Sequence, residues 1–155
     1  MDIKAKLTEL GYELPPAPGP VAAYVPYVES DGKLYLSGAL PIKDGQLTAV
    51  GAVGSPGGPS LEQAQAAAAQ CALNALAQID AALKGDWGRL VRVARLGVFV
   101  ASAPSFTDQH KVANGASELF GRVLGPAGTH ARSAVGVPSL PLGAAVEVDL
   151  IASLD

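Results

Sequence analysis

One cysteine and two histidines among 155 residues leave little material for disulfide or metal chemistry. Cys71 alone can form no internal disulfide and no cysteine-based cluster, and His110 and His130 are the only candidate nitrogen ligands, so a metal-free chain is expected. Charge is scarce as well. Only 16% of residues are charged, 11 Lys and Arg stand against 14 Asp and Glu, and the basic residues are scattered. A net charge of −3 supplies no footprint for a polyanion, which makes nucleic acid an unexpected partner. No run reaches the ~20 uninterrupted apolar residues of a membrane span, because Gly, Pro or polar residues break each one. The amino-terminal MDIKAKLTELGYELPP alternates in charge and lacks an apolar segment followed by a small-residue cleavage site. The expectation is a soluble, cytoplasmic chain. There is no Gly-x-Ser-x-Gly elbow, and the glycine-rich stretch 51–60 lacks the Gly-Lys-Ser/Thr ending of a phosphate loop.

Apolar residues are plentiful instead, at 49% of the chain. That is more than a small monomer readily hides, and buried faces between subunits would account for it. The length suits one domain, with residues 1–20 forming a helix and proline-rich connector and 21–155 the core.

Ile3, Leu7 and Leu10 at i, i+4 and i+7 mark a short amphipathic helix over 2–10, and LPPAPGP (14–20) is an extended connector. Strands over 22–28 and 33–37 flank Ser30-Asp31-Gly32, a hairpin in which Pro26 takes an edge or a bulge. A second hairpin spans 42–50 around Lys43-Asp44-Gly45. Ser60 and Gln63 have capping-box spacing ahead of a stripe of Leu61, Ala64, Ala68, Ala72, Ala75, Ile79 and Leu83. Cys71 lies beside that stripe and reads as an inert core thiol. A strand follows over 89–102, then a helix capped by Thr107 or Asp108 and stopped by Gly125-Pro126, then strands over 132–137 and 144–152. This order predicts an α/β (α+β) fold, with two long helices covering one face of a mixed sheet.

Arg132 opens one of the last two strands and Glu147 stands in the other, across a Pro/Gly-rich connection. An arginine fork recognises a planar carboxylate through two parallel hydrogen bonds, and a nearby carboxylate can hold or activate water. Together they suggest hydrolysis of a small acid. Each also has a plainer reading, Arg132 as a solvated strand residue and Glu147 as the wet side of an alternating strand shared with Asp149. His130 is either a site acid or a loop residue. Ser37-Gly38 offers a hydroxyl and bare backbone to a ligand.

Tyr24 ahead of the first hairpin, LYLSG with Ser37 and Gly38, VFVAS before a turn, Asn114 in the last helix, and ARSAVGV-x-x-LP-x-GAAVEV occur in an order that resembles the reactive intermediate deaminase family, the RidA, YjgF or L-PSP endoribonuclease-like proteins. The likeness covers about residues 20–152. It implies a chorismate-mutase-like fold, a homotrimer, and ligand clefts between neighbouring subunits. It further implies that Arg132 clamps the carboxylate of a 2-imino or 2-enamino acid, that Tyr24, Ser37, Gly38 and Asn114 line the cleft, and that Glu147 positions water. The products would be a 2-keto acid and ammonia. Where such proteins often carry cysteine two residues after the arginine this chain has Ala134, a change in pocket shape or substrate, and its first helix with the proline connector, HARSAVGV and DQHKVANGAS look more like a less characterised branch. A trimer that holds a small carboxylate without turning it over is the alternative, and an endoribonuclease is a third reading that the acidic charge balance disfavours.

Overall fold

Ser60 starts the longest helix with a reciprocal cap: Gln63 N donates to Ser60 Oγ at 3.1 Å, and Ser60 N donates to Gln63 Oε1 at 2.9 Å. In the computed structural model, which describes residues 2–17, 19 and 23–155, the elements run α1 (Ile3–Glu9), β1 (Tyr27–Ser30), β2 (Lys33–Ala39), β3 (Ile42–Lys43), β4 (Gln46–Leu47), α2 (Leu61–Leu83), β5 (Leu90–Ala101), α3 (Gln109–Leu124), β6 (Ala131–Val137) and β7 (Val146–Leu154). Alanines buried along α2 let it lie close to the sheet and to α3. The approach to α3 is closest at Gly115, where a Cβ would come within 2.0 Å of the Gln65 carbonyl oxygen. Asp2 caps α1, which buries Ile3 and Leu7 and touches α3.

Five strands form one sheet in the order β1-β2-β7-β5-β6, and β3 and β4 pair separately. Only β5 and β6 run parallel, and α3 is the crossover that such a pair requires. Along β7 the even-numbered residues from Val146 to Leu154 are buried beneath the helices, while Glu147, Asp149, Ile151 and Ser153 look out of the opposite face. That open face is not uniformly polar. Val28, Tyr35 and Ile151 are register neighbours across three strands, and Val28 and Tyr35 are about half exposed.

The mixed sheet with helices on one face is as expected, and the differences from the sequence reading are local. The first strand begins at Tyr27 rather than at 22; Ala22 lies outside the described residues, and Pro26 precedes the strand, accepting a hydrogen bond from Ser37 N at 2.9 Å. The bulge falls at Ser37-Gly38 instead. The second hairpin closes through Asp44-Gly45 but has only two residues per strand, because Thr48 N turns back to Pro41 O and Val50 bridges Ala144. That bridge and a helical turn at Pro141–Gly143 delay the last strand to 146–154. Asp108 stands at the start of α3 without a capping bond, its carboxylate instead 3.0 Å from Lys111. Cys71 is fully buried, and burial pushes its pKa well above the ordinary thiol value, consistent with an inert thiol. Among the described residues no helix is long and apolar enough to cross a membrane, and no three metal-ligating side chains converge.

Candidate functional site

Glu147 owes its setting to a slip in strand register. Leu36 pairs with Leu150 but Ala39 with Val148, so β2 carries one extra residue at Ser37-Gly38. The Glu147 carboxylate lies over the resulting bulge, and a Cβ on Gly38 would sit 1.9 Å from Glu147 Oε1. Glycine is needed here for close approach. Ser37 Oγ donates to Val25 O at 2.7 Å, which ties the 24–26 segment alongside and leaves Tyr24, 56% exposed, at the mouth of a cleft of about 390 Å³. Ser37, Gly38, Leu142, Gln78 and Glu147 also line it. Partial burial, helped by the charge of Asp149 on the same face, raises the Glu147 pKa above the usual carboxylate value. A carboxyl displaced in that direction is better matched to proton transfer near neutral pH.

Arg132 belongs to a different constellation. It pairs with Leu96 on β5, a core residue, so it points to the helical side of the sheet, where α3 receives it. Nη1 donates to Asn114 Oδ1 at 2.9 Å and to Ser117 Oγ at 3.0 Å, and Nη2 donates to His110 O at 3.2 Å. These bonds occupy three of the five guanidinium donors and leave Nε–H and one Nη2–H for a ligand. Behind them, Ser117 Oγ is 2.9 Å from His130 Nε2, and His130 Nδ1 is 2.6 Å from Gly128 O. A carbonyl only accepts, so Nδ1 carries the proton and Nε2 accepts a hydrogen bond from the Ser117 hydroxyl. Burial lowers the His130 pKa, more than the Gly128 bond raises it, and Arg132 lowers it further. His130 is thus a neutral buttress. Ala134, the next residue on the same face, packs partly buried against the core.

The chain does not bring Arg132 and Glu147 together. They are two strands apart, about 10 Å, and three register positions apart, about another 10 Å, on opposite faces of the sheet. Tyr24, Ser37 and Gly38 gather with Glu147; Asn114 gathers with Arg132. Sequence reasoning missed Ser117, one helical turn beyond Asn114, and the amides of α2. Gln70, Asn74 and Gln78 recur once per turn in an otherwise alanine- and leucine-rich helix, and that spacing was the available signal.

The Endoribonuclease L-PSP family matches residues 15–154. Protein TCP17 of Trypanosoma cruzi is 48% identical over 154 residues, spanning 99% of this chain and 94% of that protein. The crystal structure of Atu1372 from Agrobacterium tumefaciens, a protein described as of unknown function, superposes with a TM-score of 0.92 at 48% identity, covering 99% and 92% of the two chains. RidA from the Antarctic bacterium Psychrobacter has a TM-score of 0.58 at 27% identity, covering 88% and 93%. With a match across the whole core and a near-full-length relative at this identity, the chain belongs to the Endoribonuclease L-PSP family, that of the RidA/YjgF proteins.

Proposed function

We propose that this chain hydrolyses small 2-imino and 2-enamino acids to 2-keto acids and ammonia, in a cleft completed by a second copy of itself. The observation that carries the reading is the separation of two half-sites: an arginine held by α3 with two donors to spare, and a carboxyl of raised pKa over a glycine bulge. Because the halves occupy different parts of the surface, one copy's Arg132 can meet only another copy's Glu147. Such head-to-tail contacts close into rings, and the homotrimer implied by the resemblance is one. The apolar row Val28–Tyr35–Ile151 on the open sheet face suits burial between copies.

In this scheme the Nε/Nη2 edge of Arg132 holds the substrate carboxylate and so orients the imine carbon. Ionised Glu147 takes a proton from water as the water oxygen bonds to that carbon and passes it to the imine nitrogen, giving a carbinolamine; a 2-enamino acid enters as its imine tautomer. The carbinolamine hydroxyl proton then moves through Glu147 to the same nitrogen, the C–N bond breaks, ammonia leaves and the carbonyl forms. Tyr24 and Ser37 wall the cleft, and Asn114 acts through Arg132. No metal or organic cofactor enters the scheme. The alternative, carboxylate binding without turnover, needs Arg132 alone.

Mixing subunits tests the arrangement. Arg132→Ala and Glu147→Gln should each lose most of their activity, yet subunits co-assembled in equal amounts should recover keto-acid release well above either variant alone, since about a quarter of the clefts would draw both residues from intact partners. Mixed oligomers without recovery would show that the half-sites never meet. A wild type that does not exceed the spontaneous rate would leave the binding reading.

Gly38→Ala separates local geometry from folding. The atoms nearest the new methyl all belong to the Glu147 side chain, which can swing aside, so thermal unfolding should change little while keto-acid release falls at least about tenfold. A large loss of stability with activity retained would contradict the role given to the bulge.

A further inference from the structure

Besides Glu147, the cleft is lined by two carboxamides from the flank of α2, Asn74 and Gln78. Asn74 there is fully engaged: Nδ2 donates to Leu40 O at 2.8 Å and Ile42 O at 2.9 Å, and Oδ1 accepts from Gln70 Nε2 at 3.1 Å. These bonds fasten the chain that follows β2 onto the helix and fix one wall. Gln78, one turn further along, is only 4% exposed and borders the same cleft, and its Oε1 is buried with no hydrogen-bond partner. Native interiors rarely leave such an atom unpaired, since its lost hydration goes uncompensated. Much of the remaining lining is apolar, with Leu40, Ile42, Pro141 and Leu142 among it.

We infer that Gln78 is the specificity determinant of this cleft, and that the acid it accepts has a neutral side chain with an aliphatic body and a hydrogen-bonding end, a hydroxyl or a carboxamide. The Gln78 amide can turn about its terminal bond to offer either its oxygen or its nitrogen, so both ends are accommodated. A charged end would find no counterion among the described residues, where Glu147 and Tyr24 are the only titratable ones lining the cleft and Glu147 faces the reacting end. An apolar end of equal size would fit but leave the amide unpaired, and sites built to hydrogen-bond a ligand discriminate strongly on that basis. The inference deepens the proposed deaminase reading and rests on it for the reacting end of the substrate, while the Gln78 contact itself can be read from binding alone.

The decisive comparison uses 2-imino acids from homoserine and norvaline, whose side chains match in heavy atoms but end in hydroxyl or methyl. Wild type should favour the homoserine imine by about tenfold or more in kcat/KM. Gln78→Met, similar in shape but without the amide, should bring the ratio to about one, mainly through KM, while stability holds or rises because an unpaired polar group has gone. A wild-type ratio of one or below overturns the inference without any variant, and so does a ratio unchanged in Gln78→Met. If neither imine is hydrolysed above the spontaneous rate the deaminase reading fails, and calorimetry with the two corresponding 2-keto acids decides for Gln78. Tighter binding of the hydroxylated acid that Gln78→Met abolishes supports it; equal binding, or none, overturns it.

Discussion

Arg132→Lys is expected to weaken binding of 2-imino acids and of their 2-keto products by about a hundredfold, equivalent to about 2.7 kcal/mol. Lysine keeps the charge but loses the fork. Arg132 reaches Asn114, Ser117 and His110 O with one side of its guanidinium and still offers two donors on another edge. An ammonium has three donors in all and cannot hold those α3 groups while gripping a carboxylate through parallel bonds. The loss should therefore be mostly one of orientation, and it should persist at low ionic strength, where charge attraction is least screened. Calorimetric titration of a 2-keto acid into both proteins checks this. Equal affinities would refute the clamp.

Glu147→Gln should leave 2-keto acid binding within about a fewfold of wild type and lower kcat by about a hundredfold to ten-thousandfold, the range for removing a general base. Glutamine keeps the shape of the side chain over Gly38 but cannot take a proton from water. Wild-type kcat/KM should fall as pH drops through the Glu147 pKa, which stands above the ordinary glutamate value of ~4.3, and the residual activity of Glu147→Gln should lack that acid limb. The same shift predicts a stability change of definite sign. A carboxyl whose pKa is raised on folding favours the folded state while protonated, and that contribution is lost as pH rises through the folded pKa. Glu147→Gln should therefore melt higher than wild type at pH 7 and equal to it at pH values below the unfolded glutamate pKa. Thermal unfolding against pH measures this, and a lower melting temperature at pH 7 would remove the burial account of the shift.

How much of this was legible before folding depended on how far apart the determining residues lie. Ser60 and Gln63 announced the start of α2, Asp31-Gly32 and Asp44-Gly45 announced two turns, and both dipeptides do adopt positive φ. Each signal sits within a few residues, where capping bonds and backbone sterics act. Arg132 and Glu147 could likewise be picked out by residue type and order.

What the sequence by itself determined is therefore the set of elements, the mixed sheet with its helical layer, and the chemical groups available to a site. Tertiary structure alone decided where those groups point. The register slip that places Glu147 over Gly38 comes from pairing β2 with β7, strands far apart along the chain, and no local propensity encodes it. The three bonds that orient Arg132 come from α3 crossing behind β6, and the cleft that Gln78 shares with Leu40 and Ile42 forms only when the chain after β2 is fastened to α2. Side chains two residues apart on a strand share a face by simple alternation, but whether two strands bring their functional faces together depends on the whole sheet. Here they do not, and the physical reason is that β5 lies between β6 and β7 while Arg132 and Glu147 take opposite faces.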